Sequence, residues 1–325
     1  MTDRLALDRW LEGTGSDHPI RREIRLGGMD DYLDELERLL TTLDRAAPTR
    51  LAGKRRDFRG LTDRERWRDL LSELLVARWL VRQGVGFDFG GPGTAQPDLV
   101  LSEYDFGIEV TRRSRNGAVA LRRSLYRGLA SVTPRPQPVV TLDAQPLAIW
   151  EGILAQINDE ALATLRSGGR HLQAVVRPAR DGHPAATADI DLFGGPSAYP
   201  TIRYSSPATT LAVTMLDIED LVMACLEDSR KTKQGAAMPC LLVVDGSSLV
   251  SAVWLRAKGA WANRLARLLR QQHTFVAVAL MFASVWEPPQ LALGIGPNAD
   301  DDVRRAIIGW SEQMEMEIVG EDLIP

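Results

Sequence analysis

Two carboxylates, Asp98 and Glu109, flank a short stretch of the chain whose pattern predicts a β-hairpin. Apolar residues alternate with other residues along both arms, which is the period of a half-buried strand. The alternating apolar residues are Leu99, Leu101, Phe106, Ile108 and Val110. A turn centred on Glu103 and Tyr104 would pair Asp98 directly with Glu109 and would turn Leu99 and Ile108 to the opposite face.

Paired acids on neighbouring strands need a positive charge between them. Directly opposed residues on antiparallel strands have Cβ atoms about 4.5–5.5 Å apart. Two carboxylates at that separation repel each other, so the sheet tolerates them poorly without a cation. A divalent ion bound by oxygen ligands meets this need, and the pair therefore predicts a metal site.

A third acid, Glu73, lies in the helix predicted before the hairpin. Thr62 and Glu65 fit a capping box at the start of that helix, and Gly84 fits a residue just beyond its end. On a helical wheel Glu73 falls within the apolar arc, where an unpaired carboxylate is costly. Glu73 therefore belongs either to the metal site or to a buried salt bridge, for example with Arg66 or Arg112.

Pro97-Asp98 and Glu109-Val110-Thr111, with Glu73 on the preceding helix, resemble the motif of the PD-(D/E)XK nuclease superfamily, which has the restriction-endonuclease-like fold. The resemblance covers roughly residues 62–113. It implies that Mg²⁺ (or Mn²⁺) is held by Asp98, Glu109 and the carbonyl of Val110, with Glu73 as a second or water-mediated ligand. It also implies hydrolysis of phosphodiester bonds, with DNA as the expected substrate.

Thr111 stands where this family usually has a catalytic lysine, and its side chain carries no charge. A lysine from a later helix is one replacement. In a helix predicted to start at Asp217, Lys233 falls on the apolar stripe with Val222 and Leu226, whereas Lys231 points away. Lys233 is therefore the candidate activating base. The alternatives are that both lysines complement the C-terminal dipole of their helix, or that catalysis has been lost.

Charge patterning indicates a nucleic-acid partner, although the formal net charge is −4. Seven arginines and no acid lie between Val110 and Leu142. Clustered arginines are typical of a surface that binds a phosphate backbone, and a solvated face balanced by acids elsewhere is the alternative. The predicted phosphate-binding residues are Arg112, Arg113, Arg115, Arg122, Arg123 and Arg127.

The element order predicts an α/β protein with a mixed central β-sheet flanked by helices and a strand-rich insertion, and the resemblance implies that the core is restriction-endonuclease-like. Residues 1–60 would form an N-terminal helical or arm segment, with a basic loop at 46–60. Residues 61–325 would form the nuclease-like domain, interrupted by the insertion at about 135–215. The strand Cys240–Val244 is continuously apolar, as expected for the centre of a sheet. The helix at 148–165 and the strand at 171–178 could instead complete the core.

Composition excludes several other classes of protein. The 325 residues are 45% hydrophobic and 25% charged, with two cysteines and four histidines, which does not suggest a disulfide framework or a histidine-rich metal centre. No apolar run approaches the roughly 20 residues that span a bilayer, and the N-terminus lacks the apolar region of a signal peptide. We therefore expect a cytoplasmic protein that does not bind membranes, with a homodimer left open.

Three functions are compatible with these features. The first is a metal-dependent endodeoxyribonuclease. The second is a catalytically inactive nucleic-acid-binding or assembly protein on the same fold. The third is an interaction protein whose acids only form salt bridges.

Overall fold

The chain folds into two compact units in a computed structural model. Unit 1 comprises residues 1–112 and 222–325, and unit 2 comprises residues 113–221. The residues that the structure describes are 4–91, 96–101, 103–112, 116–143, 149, 151–179, 185–193, 201–204, 218–219, 221–228, 231–233, 236, 238–247, 258–270, 274–286, 289–312 and 317–319.

Unit 1 begins with helices and ends in alternating strands and helices. Its labelled helices are α1 (Leu5–Leu11), α2 (Pro19–Leu26), α3 (Asp30–Ala46), α4 (Leu51–Arg59), α5 (Arg64–Arg82), α8 (Lys258–Leu269) and α9 (Asp301–Glu312). Its strands are β1 (Asp88–Phe89), β2 (Leu99–Leu101), β3 (Phe106–Arg112), β8 (Cys240–Asp245), β9 (Ala277–Phe282), β10 (Gln290–Ile295) and β11 (Glu317–Val319). Shorter helical stretches of unit 1 occur at 222–226 and 231–233, whereas those at 218–219 and residue 221 belong to unit 2.

The strands of unit 1 form one mixed sheet in the order β1-β2-β3-β8-β9-β10-β11. The first three strands are antiparallel, and β3, β8 and β9 run parallel. All six residues of β8 are buried, because this strand lies in the middle of the sheet and is covered on both faces.

Helices cover the two faces of this sheet. One core joins apolar residues of α1, α3, α4 and α5 to alternate residues of the central strands, among them Leu241 and Val243. Helix α8 covers the other face, where its backbone approaches Gly294 so closely that a Cβ there would lie 2.4 Å from the Ala266 nitrogen. Side chains alternate between faces along a strand, which explains why β8 is apolar at every position from Cys240 to Val244.

Unit 2 has its own sheet and core. It contains α6 (Asn116–Gly128), α7 (Glu151–Arg166), β4 (Val139–Leu142), β5 (His171–Arg177), β6 (Ala186–Asp191) and β7 (Thr201–Tyr204). The strand order is β5-β6-β4-β7. Residues of α6, including Leu121 and Leu125, pack with the buried residues of this sheet.

The predicted α/β class, with a mixed central sheet flanked by helices, is confirmed. Strand β3 pairs with β8, so the segment at 240–245 completes the central sheet and the helix at 151–166 belongs to unit 2. Unit 2 is longer than the predicted insertion at 135–215. No helix among the described residues has the length and apolar character that crossing a bilayer requires.

Two local predictions are corrected. The basic stretch expected to be a loop contains α4, which is anchored by the buried side chains of Leu51 and Phe58. The helix cap of α5 is Asp63 rather than Thr62, since the Asp63 carboxylate accepts a hydrogen bond from the Glu65 amide at 2.9 Å. Gly84, with φ +71°, takes the left-handed conformation expected beyond the helix end.

Candidate functional site

The hairpin of β2 and β3 has the predicted register. Leu99 pairs with Ile108 and Leu101 pairs with Phe106, which places Asp98 opposite Glu109. Pro97 fixes the entry to this hairpin, because a Cβ on Gly107 would lie 2.4 Å from the Pro97 ring. The absence of a side chain at Gly107 therefore allows Pro97 to lie against β3 and sets the position of the next residue, Asp98.

Asp98 and Glu109 meet through the backbone of the hairpin. The Asp98 carboxylate accepts a hydrogen bond from the Val110 amide at 2.9 Å, and the Asp98 amide donates to Oε2 of Glu109 at 3.2 Å. The side chain of Glu109 is fully buried. A carboxylate in that position requires hydrogen bonds and a nearby cation to remain ionised.

The nearby cation is Lys231. Its ammonium forms an ion pair with Oε1 of Glu109 and lies 3.5 Å from the carbonyl oxygen of Val110. The side chain of Lys231 is 24% exposed. The prediction that Lys233 would face the acids is wrong, because Lys233 is exposed and Lys231 takes that position.

The helix that was predicted to carry both lysines is interrupted before it reaches them. The prediction assumed one helix through both lysines, but residues 227 and 228 are not helical. A new turn then begins, in which the Thr232 amide donates to the Asp228 carbonyl at 2.9 Å. Lys231 follows this break, and its ammonium is the one that pairs with Glu109.

Glu73 pairs with a residue that the helical-wheel prediction did not include, Lys54 of α4. The side chains are 19% and 13% exposed, respectively, and Lys54 lies 5.5 Å from the centre of the Phe89 ring. This ion pair fits the buried salt bridge that was one of the two alternatives, although its cation is Lys54 and not Arg66 or Arg112, the two examples given. Lys54 lies on the same helical face as the buried Leu51 and Phe58, and that spacing was the available signal.

A second contact fixes helix α5 beside the sheet. The hydroxyl of Ser72 donates to the carboxylate of Asp245 at the end of β8, and both side chains are buried. Since Ser72 precedes Glu73, this hydrogen bond helps to set the rotation of α5 that directs Glu73 toward Lys54.

The acids influence one another's protonation. Burial and the charge of Asp98 raise the pKa of Glu73 to about 7 and that of Glu109 to about 8, although Lys54 and Lys231 oppose the shifts. The pKa of each lysine is raised because nearby carboxylates outweigh the effect of burial. These shifts place Glu73, Asp98 and Glu109 in one electrostatic cluster with two lysines.

Asp98, Glu109 and the Val110 carbonyl offer oxygen atoms as metal ligands, and Mg²⁺ and Mn²⁺ prefer oxygen ligands. The crowding of the two carboxylates also favours a cation. Within the described part of the chain, however, no group of three or more His, Cys, Asp or Glu residues is arranged to hold a metal. The oxygens at Glu109 and Val110 are contacted by the ammonium of Lys231, and Glu73 is engaged with Lys54, so a metal at this site stays a prediction.

Two other predicted site residues have clear surroundings. Thr111 is buried beside Val244 of β8 and offers no charge. Arg112 has a side chain only 5% exposed and pairs with Glu65 at 3.0 Å and Asp69 at 3.5 Å. Its assignment as a phosphate-binding residue is therefore corrected, because the acids of α5 occupy its guanidinium.

The remaining arginines of the predicted phosphate-binding set belong to unit 2. Arg113 and Arg115 lie outside the described residues. Arg122, Arg123 and Arg127 are exposed on α6, whereas Leu121 and Leu125 on the same helix are buried. Helix α6 is therefore amphipathic, with a basic outer face.

The chain was also compared with known proteins. No family model matches it, no curated protein shows significant similarity, and no solved structure matches its fold significantly.

Proposed function

We propose that this protein is a metal-dependent nuclease that hydrolyses phosphodiester bonds of DNA. The observation that carries the proposal is the meeting of Asp98 and Glu109 on adjacent strands, with the ammonium of Lys231 at the same carboxylate. The resemblance of these residues to the PD-(D/E)XK motif names the reaction and the substrate class.

In this proposal Asp98, Glu109 and the Val110 carbonyl would hold Mg²⁺ or Mn²⁺. When bound, such an ion supplies a water of lowered pKa and neutralises charge that develops on the phosphate. The chain's own contribution is positioning. The amide of Val110 orients Asp98, and the amide of Asp98 orients Glu109, so both acids are held in place before a ligand arrives.

Lys231 would replace the motif lysine, which is absent because the chain has Thr111 at that position. It comes from another segment of the chain yet reaches the same carboxylate, Glu109. An ammonium near the acids can donate hydrogen bonds to a phosphate oxygen or to the attacking water. The exposed arginines of α6, Arg122, Arg123 and Arg127, would contact the phosphate backbone.

A binding role without catalysis is the second candidate. The observations in its favour are that Lys54 and Lys231 already neutralise Glu73 and Glu109, whereas the arginines of α6 stay exposed. A cluster satisfied in this way can be structural, since buried charges are retained when they are paired.

A cleavage assay separates the two candidates. The full chain is incubated with plasmid and single-stranded DNA, with Mg²⁺ or Mn²⁺ and with EDTA, beside the variant Asp98→Asn plus Glu109→Gln. We expect metal-dependent cleavage by the natural sequence and none by the variant. DNA binding without cleavage under every condition would refute the nuclease and favour the binding protein.

A further inference from the structure

Lys231 contacts the same oxygens that the proposed metal would use. Its ammonium pairs with Oε1 of Glu109 and lies 3.5 Å from the carbonyl of Val110. A positive group at these two oxygens does what a bound cation would do, because it compensates a fully buried carboxylate.

We infer that Lys231 is an exchangeable internal cation: a divalent ion displaces its ammonium from Glu109 and Val110 and thereby frees it for the substrate. The inference rests on the proposed function, since it concerns the same site. It adds a regulatory element, namely that metal binding and release of the lysine are one coupled event.

The difference in exposure between the partners indicates which one moves. Glu109 lies within β3, its side chain is fully buried, and the Asp98 amide holds its second oxygen. Lys231 is 24% exposed, and its long side chain can reach solvent by rotation about its own bonds. The ammonium can therefore leave while the carboxylate stays.

Lys54 provides a matched comparison within the same cluster. It is also a partly buried lysine paired with an acid, and nearby Asp98 acts on both lysines. Its contacts, however, are with Glu73 and the Phe89 ring and not with the oxygens of Glu109 and Val110. Lys54 should thus remain in place when a metal binds.

Thr111 is buried and carries no charge, so the ammonium at Glu109 comes from a separate segment of the chain, through Lys231. Once displaced, its ammonium stays near the acids and is available to a phosphate group.

Chemical labelling of the natural protein tests the exchange directly. The protein is treated briefly with an amine-acylating reagent, with and without Mn²⁺ at matched ionic strength, and modification of each lysine is quantified by peptide mass spectrometry. We expect Mn²⁺ to increase the labelling of Lys231 several-fold and to leave Lys54 and the exposed Lys233 unchanged. Unchanged or reduced labelling of Lys231 in the presence of bound Mn²⁺ would overturn the inference.

Metal affinity provides the second measurement, with Mn²⁺ itself as the probe in calorimetry. Lys231→Met and Lys54→Met each remove one positive charge from the cluster, so general electrostatics strengthens binding in both. Only Lys231→Met also vacates the ligand oxygens, and its Kd should be lower than that of Lys54→Met by at least about tenfold.

Equal affinities of the two variants would refute exchange alone, whereas failure of all three proteins to bind Mn²⁺ would refute exchange and the metal-dependent nuclease together. Circular dichroism without metal verifies that each variant is folded. When Mn²⁺ binds, the two proposals are separable, because Mn²⁺ can displace Lys231 in a protein that never cuts DNA, and cleavage can occur with Lys231 fixed at Glu109.

Discussion

Asp98 and Glu109 remain side by side, despite their mutual repulsion, because each is tied to the backbone of the other's strand. The Val110 amide donates to Asp98 at 2.9 Å, and the Asp98 amide donates to Glu109 at 3.2 Å. Hydrogen bonds to a carboxylate favour its charged form. The backbone hydrogen bonds of the hairpin therefore fix the two carboxylates next to each other, where a cation could bind both.

Metal binding should consequently stabilise the protein through these two acids. We expect Mn²⁺ to raise the melting temperature of the natural sequence, because a ligand that binds only the folded state adds about 2.7 kcal/mol when its free concentration is about 100 times Kd. Asp98→Asn plus Glu109→Gln preserves side-chain shape and hydrogen-bond acceptors but should abolish the shift. An equal shift in both proteins, measured by thermal unfolding, would place the metal elsewhere.

Lys231 and Lys233 should differ sharply in cleavage assays. Lys231→Ala should abolish cleavage, because it removes the ammonium at Glu109, while DNA affinity should change little, since one phosphate contact is a small part of the total. Lys233 is exposed, so Lys233→Ala should cut DNA as the natural sequence does. If Lys231→Ala cleaved faster than the natural protein, the lysine would be only an inhibitor of the site.

The register of the hairpin could be predicted from the sequence, because a shift of one residue would move Leu99 and Ile108 to the wrong face. The burial of Glu73 was predictable for a similar reason, since helical spacing places it among apolar residues. Both predictions depend on local periodicity. The strand pair β3–β8 was one of two stated alternatives, and the continuous apolar character of Cys240–Val244 indicated it.

The pairing of the two lysines with Glu73 and Glu109 could not be predicted from local periodicity, because it depends on contacts between distant segments. Lys231 lies 122 residues from Glu109 in sequence, and the helix predicted to carry it is interrupted at 227–228, where no glycine or proline marks a break. Lys54 was missed because the arginines around it resembled a solvated loop. Only the tertiary fold, which packs Leu51 and Phe58 into the core, brings Lys54 to Glu73.

Arginines of the basic segment should fall into two classes. Arg112→Ala should lower the free energy of unfolding by about 1–2 kcal/mol, a value reduced by the partial exposure of Glu65 and Asp69. It should leave DNA affinity unchanged. Urea denaturation and fluorescence anisotropy with labelled DNA measure the two effects.

The matched variant replaces Arg122, Arg123 and Arg127 of α6 with alanine. These exposed residues should affect stability by no more than about 0.5 kcal/mol. DNA affinity should fall, and the slope of log K against log salt should become shallower by about 0.9 for each phosphate that the variant no longer neutralises. An unchanged slope would remove α6 from the DNA-binding surface.

The stability of the metal-free protein should depend on the ionisation of Glu109. Burial and Asp98 raise its pKa from 4.5 to about 8, so between these values the folded protein binds more protons than the unfolded chain. The free energy of unfolding must then decrease as pH rises: the contribution of Glu109 is fully present below 4.5 and is lost as pH rises through about 8. Glu109→Gln cannot titrate and should show a less negative slope across this window.

Urea denaturation in EDTA, repeated across the window between 4.5 and about 8, measures both slopes, and their difference cancels groups common to the two proteins. With Mn²⁺ bound, the free energy of unfolding of the natural protein should decrease less steeply with pH, because a bound cation favours the ionised carboxylate. The slope of Glu109→Gln should not change. Identical slopes for both proteins in EDTA would mean that Lys231 keeps Glu109 ionised throughout this range. The raised pKa of Glu109 would then be wrong, and its ion pair with Lys231 would persist across the window until a metal displaces the ammonium.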